Sequence, residues 1–203
     1  MPIDTSEWLR ERLKLDKYRL RGPMPIELSI NRNDLAKIFN ELGFKKGVEI
    51  GVAEGHFSEV LCRSIPDLEL LSIDPWEKYS DNPRAHSVDH QEFSYNETAR
   101  RLTPYPKAKM IKAMSMDAVR DVPNDSLDFC YLDGHHGFDY VMEDLIEWGK
   151  RVRSGGIIAG DDYYHFEWAG VVDAVQAYTK HHKISPRFLI QAPRSVDFFW
   201  VKL

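Results

Sequence analysis

Three aspartates, Asp133, Asp161 and Asp162, stand where apolar, strand-like runs give out, at the ends of "DFCYLD" and "GIIAGDD". Carboxylates gathered at one rim repel one another unless a proton or a cation intervenes, and hard oxygens of this kind suit Mg²⁺ or a similar divalent ion. His135 and His136 follow Asp133 by two and three positions. A bound cation lowers the pKa of a coordinated hydroxyl, and a neighbouring imidazole can take its proton, so either histidine is a candidate base. His181 and His182 end a helical pattern and read instead as a solvated face, where positive charge suits the helix terminus.

A second constellation lies upstream. In "VEIGVAEGHFSEVL", Val48 to Leu61, Gly51 and Gly55 form a bend between an apolar strand and the first turn of a helix. In an open α/β sheet the first such bend borders the ligand crevice, and Asp74, at the end of the next strand, is placed to accept ribose hydroxyls. The pattern suits an adenosine-containing cofactor. The third glycine of GxGxxG is missing and no GK[ST] follows, so pyrophosphate is the poorer candidate. Glu49 and Glu54 flank the bend. Their carboxylates would repel a phosphate but suit a ligand carrying an ammonium and a sulfonium, which points to S-adenosylmethionine.

The elements that must hold these residues alternate along the chain. Residues 5 to 16 and a stretch with Leu35, Ile38, Phe39 and Leu42 read as two amphipathic helices joined by a Gly/Pro-rich connector, "RGPMPIELS". Strands are expected at Gly47 to Ile50, Glu69 to Asp74, about 108 to 113, "SLDFCYLD" and "GIIAGDD". Helices fall between them at Gly55 to Arg63, near 88 to 102, near 115 to 121 and from Phe138 through Val141, Leu145, Trp148 and Val152, with Gly155 and Gly156 ending the last. A helix from Trp168 to His181 precedes "RFLIQAPRSVDFFWVKL", which reads as an antiparallel hairpin. Such alternation implies a parallel sheet covered on both faces. The insertion after Asp74 is polar and aromatic and lies where a lid would close the cleft, with Trp76 and Tyr79 as lining candidates and Trp168, just beyond Tyr163 and Tyr164, as a similar case.

The 203 residues suffice for one substantial core. Twenty-seven basic against 32 acidic residues, with no long run of one sign, give no electrostatic footprint for nucleic acid. No stretch approaches the roughly 18 apolar residues of a membrane span, and the first residues lack the apolar run of a signal peptide, so a cytoplasmic protein is expected. Cys62 and Cys130 read as buried, reduced thiols.

Taken in order, "VEIGVAEGHFSEVL", "LLSIDPW" and "DFCYLDGHHGFDYVMEDLIEWGKRVRSGGIIAGDDY" resemble class I S-adenosylmethionine-dependent methyltransferases. The nearer likeness is to methyltransferase family 24, which includes metal-dependent sugar O-methyltransferases of antibiotic pathways, and it spans about residues 45 to 182. The resemblance implies a Rossmann-like, doubly wound α/β fold with a mostly parallel seven-stranded sheet, a C-terminal antiparallel hairpin and helices on both faces. It implies one domain over 1–203, with N-terminal helices over 1–44 and the cofactor-binding core over 45–203. It places Gly51, Gly55 and Asp74 on the cofactor, with Glu49, Ser58, Pro75 and Asp133 in the same site and Met114 and Ser115 near the adenine. Asp133, Asp161 and Asp162 match the metal-binding positions. Related sugar enzymes use an Asp at the position of His135 or a His at that of His136 as base, which favours His136 with His135 second. The implied reaction is methyl transfer from S-adenosylmethionine to a hydroxyl of a small acceptor, a sugar or glycosylated metabolite, assisted by Mg²⁺. The rivals are metal-independent or nitrogen-directed transfer, or a module that keeps the fold without the activity. No nucleic-acid or membrane partner is implied, and a homo-oligomer is compatible with these features.

Overall fold

Short polar residues start the helices. Asp4 accepts from the amides of Ser6 and Glu7 ahead of α1 (Thr5–Arg12), and Asn31 forms a capping box with Asp34 ahead of α2 (Arg32–Glu41). Between these helices β1 (Ile26–Leu28) buries Ile26 and Leu28 and turns Glu27 outward. The computed structural model describes residues 4–16, 24–77, 87–165, 169–192 and 195–203.

From there strands and helices alternate. β2 (Lys46–Ile50), α3 (His56–Ser64) and β3 (Glu69–Asp74) lead to α4 (Val88–Leu102) and β4 (Ala108–Lys112). α5 (Ser115–Ala118), β5 (Leu127–Leu132), α6 (Phe138–Arg151) and β6 (Val152–Gly160) follow, then α7 (Val171–His181), β7 (Phe188–Ala192) and β8 (Ser195–Val201). Among the described residues the strands form one sheet in the order β1-β7-β8-β6-β5-β2-β3-β4. β8 is antiparallel to both β6 and β7, and every other pairing is parallel.

Strand alternation divides the core. Phe129 and Tyr131 of β5 face the layer of α1, α2 and α3, where they pack with Leu9, Phe39 and Leu61. Cys130 and Leu132 face α6 and α7 and pack with Leu145, Trp148 and Val175. Burial pushes the Cys62 and Cys130 thiols up to about 12, so both are inert core residues. No helix among the described residues is long and apolar enough to cross a membrane.

Two expectations are corrected. The sheet has eight strands rather than seven, because part of the Gly/Pro-rich connector pairs with β7 as β1. Three residues beside Pro25 are too short to show a period, yet an edge strand tolerates them. Gly155 and Gly156 do not end a helix. α6 stops at Arg151 and the chain enters β6 directly, where Gly155, at φ 74°, lies in a stretch whose register against β5 shifts between Leu127 and Phe129. A positive-φ glycine serves a strand bulge as well as a helix end, and the sequence does not distinguish the two.

The strand order reverses at β2: β3 and β4 lie to one side, β5 and β6 to the other. The crevice beyond the carboxyl ends of β2 and β5 is where a doubly wound sheet places its ligand.

Candidate active site

The bend after β2 is pinned on both sides. Gly51 N–H donates to Ile73 O of β3 at 2.9 Å, and Asp133 N–H donates to Ile50 O at 2.8 Å. Gly51 sits at φ 82°, and a β-carbon there would fall 1.9 Å from the Asp133 carbonyl oxygen, so only glycine fits. Gly55, at φ 74°, is fixed by packing: its β-carbon would meet Thr98 of α4 at 3.0 Å. Asp74 braces the same loop, accepting from Val52 N at 2.9 Å, Ala53 N at 3.0 Å and Trp76 N at 2.7 Å. Burial raises its pKa against those three hydrogen bonds.

A cavity of about 170 Å³ opens beside the bend. Of the residues assigned to the cofactor, Gly51, Pro75, Met114 and Ser115 line it. That volume is below the roughly 300–1,000 Å³ of sites that enclose a whole drug-sized ligand, and it suits one ring system of a larger molecule. Glu49 and Ser58 lie elsewhere. They face the layer under α3, where Ser58 donates to Glu49 and shares a 2.8 Å hydrogen bond with Ser72. Glu49 is 2% exposed, and burial pushes its carboxyl up to about 8 despite the Ser58 hydrogen bond. It therefore offers the crevice little negative charge.

The adjacent histidines diverge. His135 turns into the cavity, its Nδ1 accepting from Gly137 N at 3.0 Å and its ring centroid 4.0 Å from that of Tyr140. His136 turns to the rim. Its Nε2 lies 3.1 Å from Asp162 Oδ2 and 3.6 Å from Asp133 Oδ1, and one ligand atom from each of the three residues falls within 4.8 Å of the others. Burial opposes an imidazolium there, but the Asp133 hydrogen bond and the charges of Asp162, Asp133 and Asp161 outweigh it and raise the His136 pKa. Burial drives Asp133 up to about 6, against its hydrogen bond with His136.

Asp161 is not part of that group. Arg32, the first residue of α2, pairs with Asp161 and donates from Nε to Asp197 at 2.8 Å. Ser195 Oγ donates to Asp161 Oδ1 at 2.6 Å, and Tyr131 OH donates to the enclosed Asp197. Arg32 carried no signal in the sequence, since its partners lie 129 and 165 residues away. Asp144 was also missed, and a signal for it existed: an acid three residues after Val141, on the apolar stripe of α6. It lines the cavity and accepts from Ser115 Oγ. Of the aromatic lid candidates, Trp76 is buried and donates to Ala53 O at 2.8 Å. Tyr79 and Trp168 lie outside the described residues.

A family model described as a methyltransferase domain matches residues 48–163, more than half of the chain. The chain belongs to the class I S-adenosylmethionine-dependent methyltransferases. An O-methyltransferase from Bacillus cereus, solved with S-adenosylhomocysteine, superposes on this methyltransferase with a TM-score of 0.63 at 11% identity, over 97% of this chain and 96% of that one. TomG from Streptomyces achromogenes, an O-methyltransferase involved in tomaymycin synthesis and solved with S-adenosylmethionine, gives 0.62 at 17% identity over 98% and 90%. An uncharacterized protein of Acanthamoeba polyphaga mimivirus is 25% identical over 124 residues, 60% of this chain and 53% of that protein. The methyltransferase thus spans about half the length of the curated relative it matches.

Proposed function

We propose that this methyltransferase transfers a methyl group from S-adenosylmethionine to a hydroxyl of a small acceptor, with a divalent cation at the rim. The observation that carries the reading is the backbone contact of Gly51 with Asp133, because it sets the cavity beside the glycine bend directly against the Asp-His-Asp rim. A sugar or glycosylated metabolite is the acceptor we favour, on the resemblance to sugar O-methyltransferases.

The residues present fit such an ion: a carboxylate oxygen each from Asp133 and Asp162 meet at the rim, with His136 Nε2 beside them and left for the proton. We assign Asp133 and Asp162 to holding it and Asp161 to the Arg32 pair, which fixes the end of β6. A divalent cation held there supplies the charge that lowers the pKa of an acceptor hydroxyl. S-adenosylmethionine supplies the methyl group on a sulfonium. His136 Nε2 is the atom placed to receive the hydroxyl proton. As imidazolium it has no lone pair to offer, and neutralising Asp133 and Asp162 removes the stabilisation that keeps it charged. His135, facing the cavity, is assigned to the cofactor side. Gly51 admits the ligand close to the backbone, and Asp74 holds the loop that shapes the crevice.

The experiment is methyl transfer from labelled S-adenosylmethionine to a panel of sugars and glycosides, with and without chelator. Chelator-sensitive transfer to a hydroxyl supports the reading. Transfer unaffected by chelator would favour a second reading, in which the His136 contacts with Asp133 and Asp162 form a metal-free base, as their 3.6 and 3.1 Å separations also allow.

A further inference from the structure

Asp144 is a buried acid that the transfer chemistry does not use. It projects from the apolar stripe of α6 between Val141 and Trp148, is 6% exposed, and lines the cavity beside the glycine bend. Its neighbours decide what it can offer. Trp148 Nε1 donates to Ser115 Oγ at 2.7 Å, and Ser115 Oγ in turn donates to Asp144 Oδ1. The single hydroxyl proton of Ser115 is thereby committed, so Ser115 cannot donate to a ligand. The same relay fixes the carboxyl rotamer from a fully buried indole.

The second oxygen is different. Asp144 Oδ2 accepts no hydrogen bond from the described residues, and it lies 3.8 Å from the point where a β-carbon on Gly134 would stand, on the wall of the same cavity. The remaining lining is mostly apolar or flat, with Ile50, Ile73 and Met116, the rings of His135 and Tyr140, and one further acid, Glu143. A planar ring carrying one exocyclic N–H donor fits such a slot. Oδ2 therefore opens on the cavity with its lone pairs free for a ligand donor.

We infer that Asp144 reads the exocyclic amino group of the cofactor's adenine, with Oδ2 accepting from it and Trp148 and Ser115 holding the carboxyl in place. The inference rests on the proposed use of this cavity by S-adenosylmethionine. It makes Asp144 a specificity-determining residue: a purine bearing an oxo group at that position would set oxygen lone pairs against a carboxylate.

The test is calorimetric titration at about pH 8.5, above the value of about 7 to which burial lifts Asp144, with S-adenosylhomocysteine and with its deaminated analogue S-inosylhomocysteine, on wild-type protein and on Asp144→Asn. Wild-type protein should bind the inosyl compound roughly 10- to 100-fold more weakly, the range of one charge-assisted hydrogen bond. In Asp144→Asn the amide oxygen takes the Ser115 hydrogen bond and the amide nitrogen faces the cavity as a donor. Discrimination should then vanish or reverse, with the unfolding midpoint near the wild-type value. Equal binding of the two compounds by wild-type protein overturns the role of Asp144 while leaving the cofactor reading intact, and so does undiminished discrimination in Asp144→Asn. If wild-type protein binds neither compound, the cofactor reading itself fails and the inference falls with it.

Discussion

Gly51 and Asp133 meet backbone to backbone, so closely that a single added carbon on Gly51 would stand 1.9 Å from the Asp133 carbonyl oxygen. The contact couples the bend after β2 to the carboxylate that ends β5. Gly51→Ala should therefore cost about 3 kcal/mol or more, a left-handed backbone penalty plus displaced backbone, and lower Tm by about 6–12 °C. Gly43 is the control. It has φ 74° and nothing within 4 Å of the point its β-carbon would occupy, so Gly43→Ala should cost only about 1–2 kcal/mol. Thermal unfolding of both variants checks the contrast, and equal losses would remove the close contact from the account.

Arg32 joins α2 to two strand ends. Removing it with Arg32→Met leaves Asp197, at 0% exposure, without its ion-pair partner. The expected cost is about 3–5 kcal/mol, the range for breaking one side of a buried pair. Urea unfolding should show it; a loss under about 1 kcal/mol would mean that the network contributes little.

Stability should fall as pH rises. Burial lifts Glu49 to about 8, Asp144 to about 7 and Asp133 to about 6, each above its unfolded value. In each case hydrogen bonds from Ser58, Ser115 or His136 oppose the shift without cancelling it. The raised His136 acts in the same sense. The folded chain holds protons that the unfolded chain has released, so the stabilisation is complete below about pH 4 and is lost progressively up to about pH 8. Urea midpoints at pH 5.5 and 8.5 should show the first higher, and Glu49→Gln should flatten the upper part of the slope. A midpoint that rises with pH contradicts these proton affinities.

The two neighbouring aspartates should separate by function. Asp162→Ala should weaken Mn²⁺ or Mg²⁺ binding by at least about 10-fold while leaving S-adenosylhomocysteine affinity within about 2-fold. Asp161→Asn should disturb ion binding less, because Asp161 is held by Arg32 and Ser195. The reverse ranking would restore Asp161 as the ligand.

Much of this was legible along the chain. The glycine bend, the acids at the ends of β3, β5 and β6, and the closing hairpin announce themselves through spacing and alternation, which are local properties. What was not legible depends on side-chain direction and distance. "HH" gives no sign that His135 enters the cavity and His136 the rim, and "DD" none that one aspartate is claimed by an arginine 129 residues earlier. Glu49 looked like a group facing the ligand because it borders the bend, but strand alternation turns it under α3. β1 is too short for its pattern to register, whereas Asp144 could have been found as the one acid on an apolar stripe.

The most direct measurement is a calorimetric titration of S-adenosylhomocysteine into the wild-type protein. Saturable one-to-one binding in the micromolar range, weakened by Gly51→Ala, is the predicted result. Absence of binding under conditions where the protein is folded would contradict the assignment of this crevice to the methyl donor.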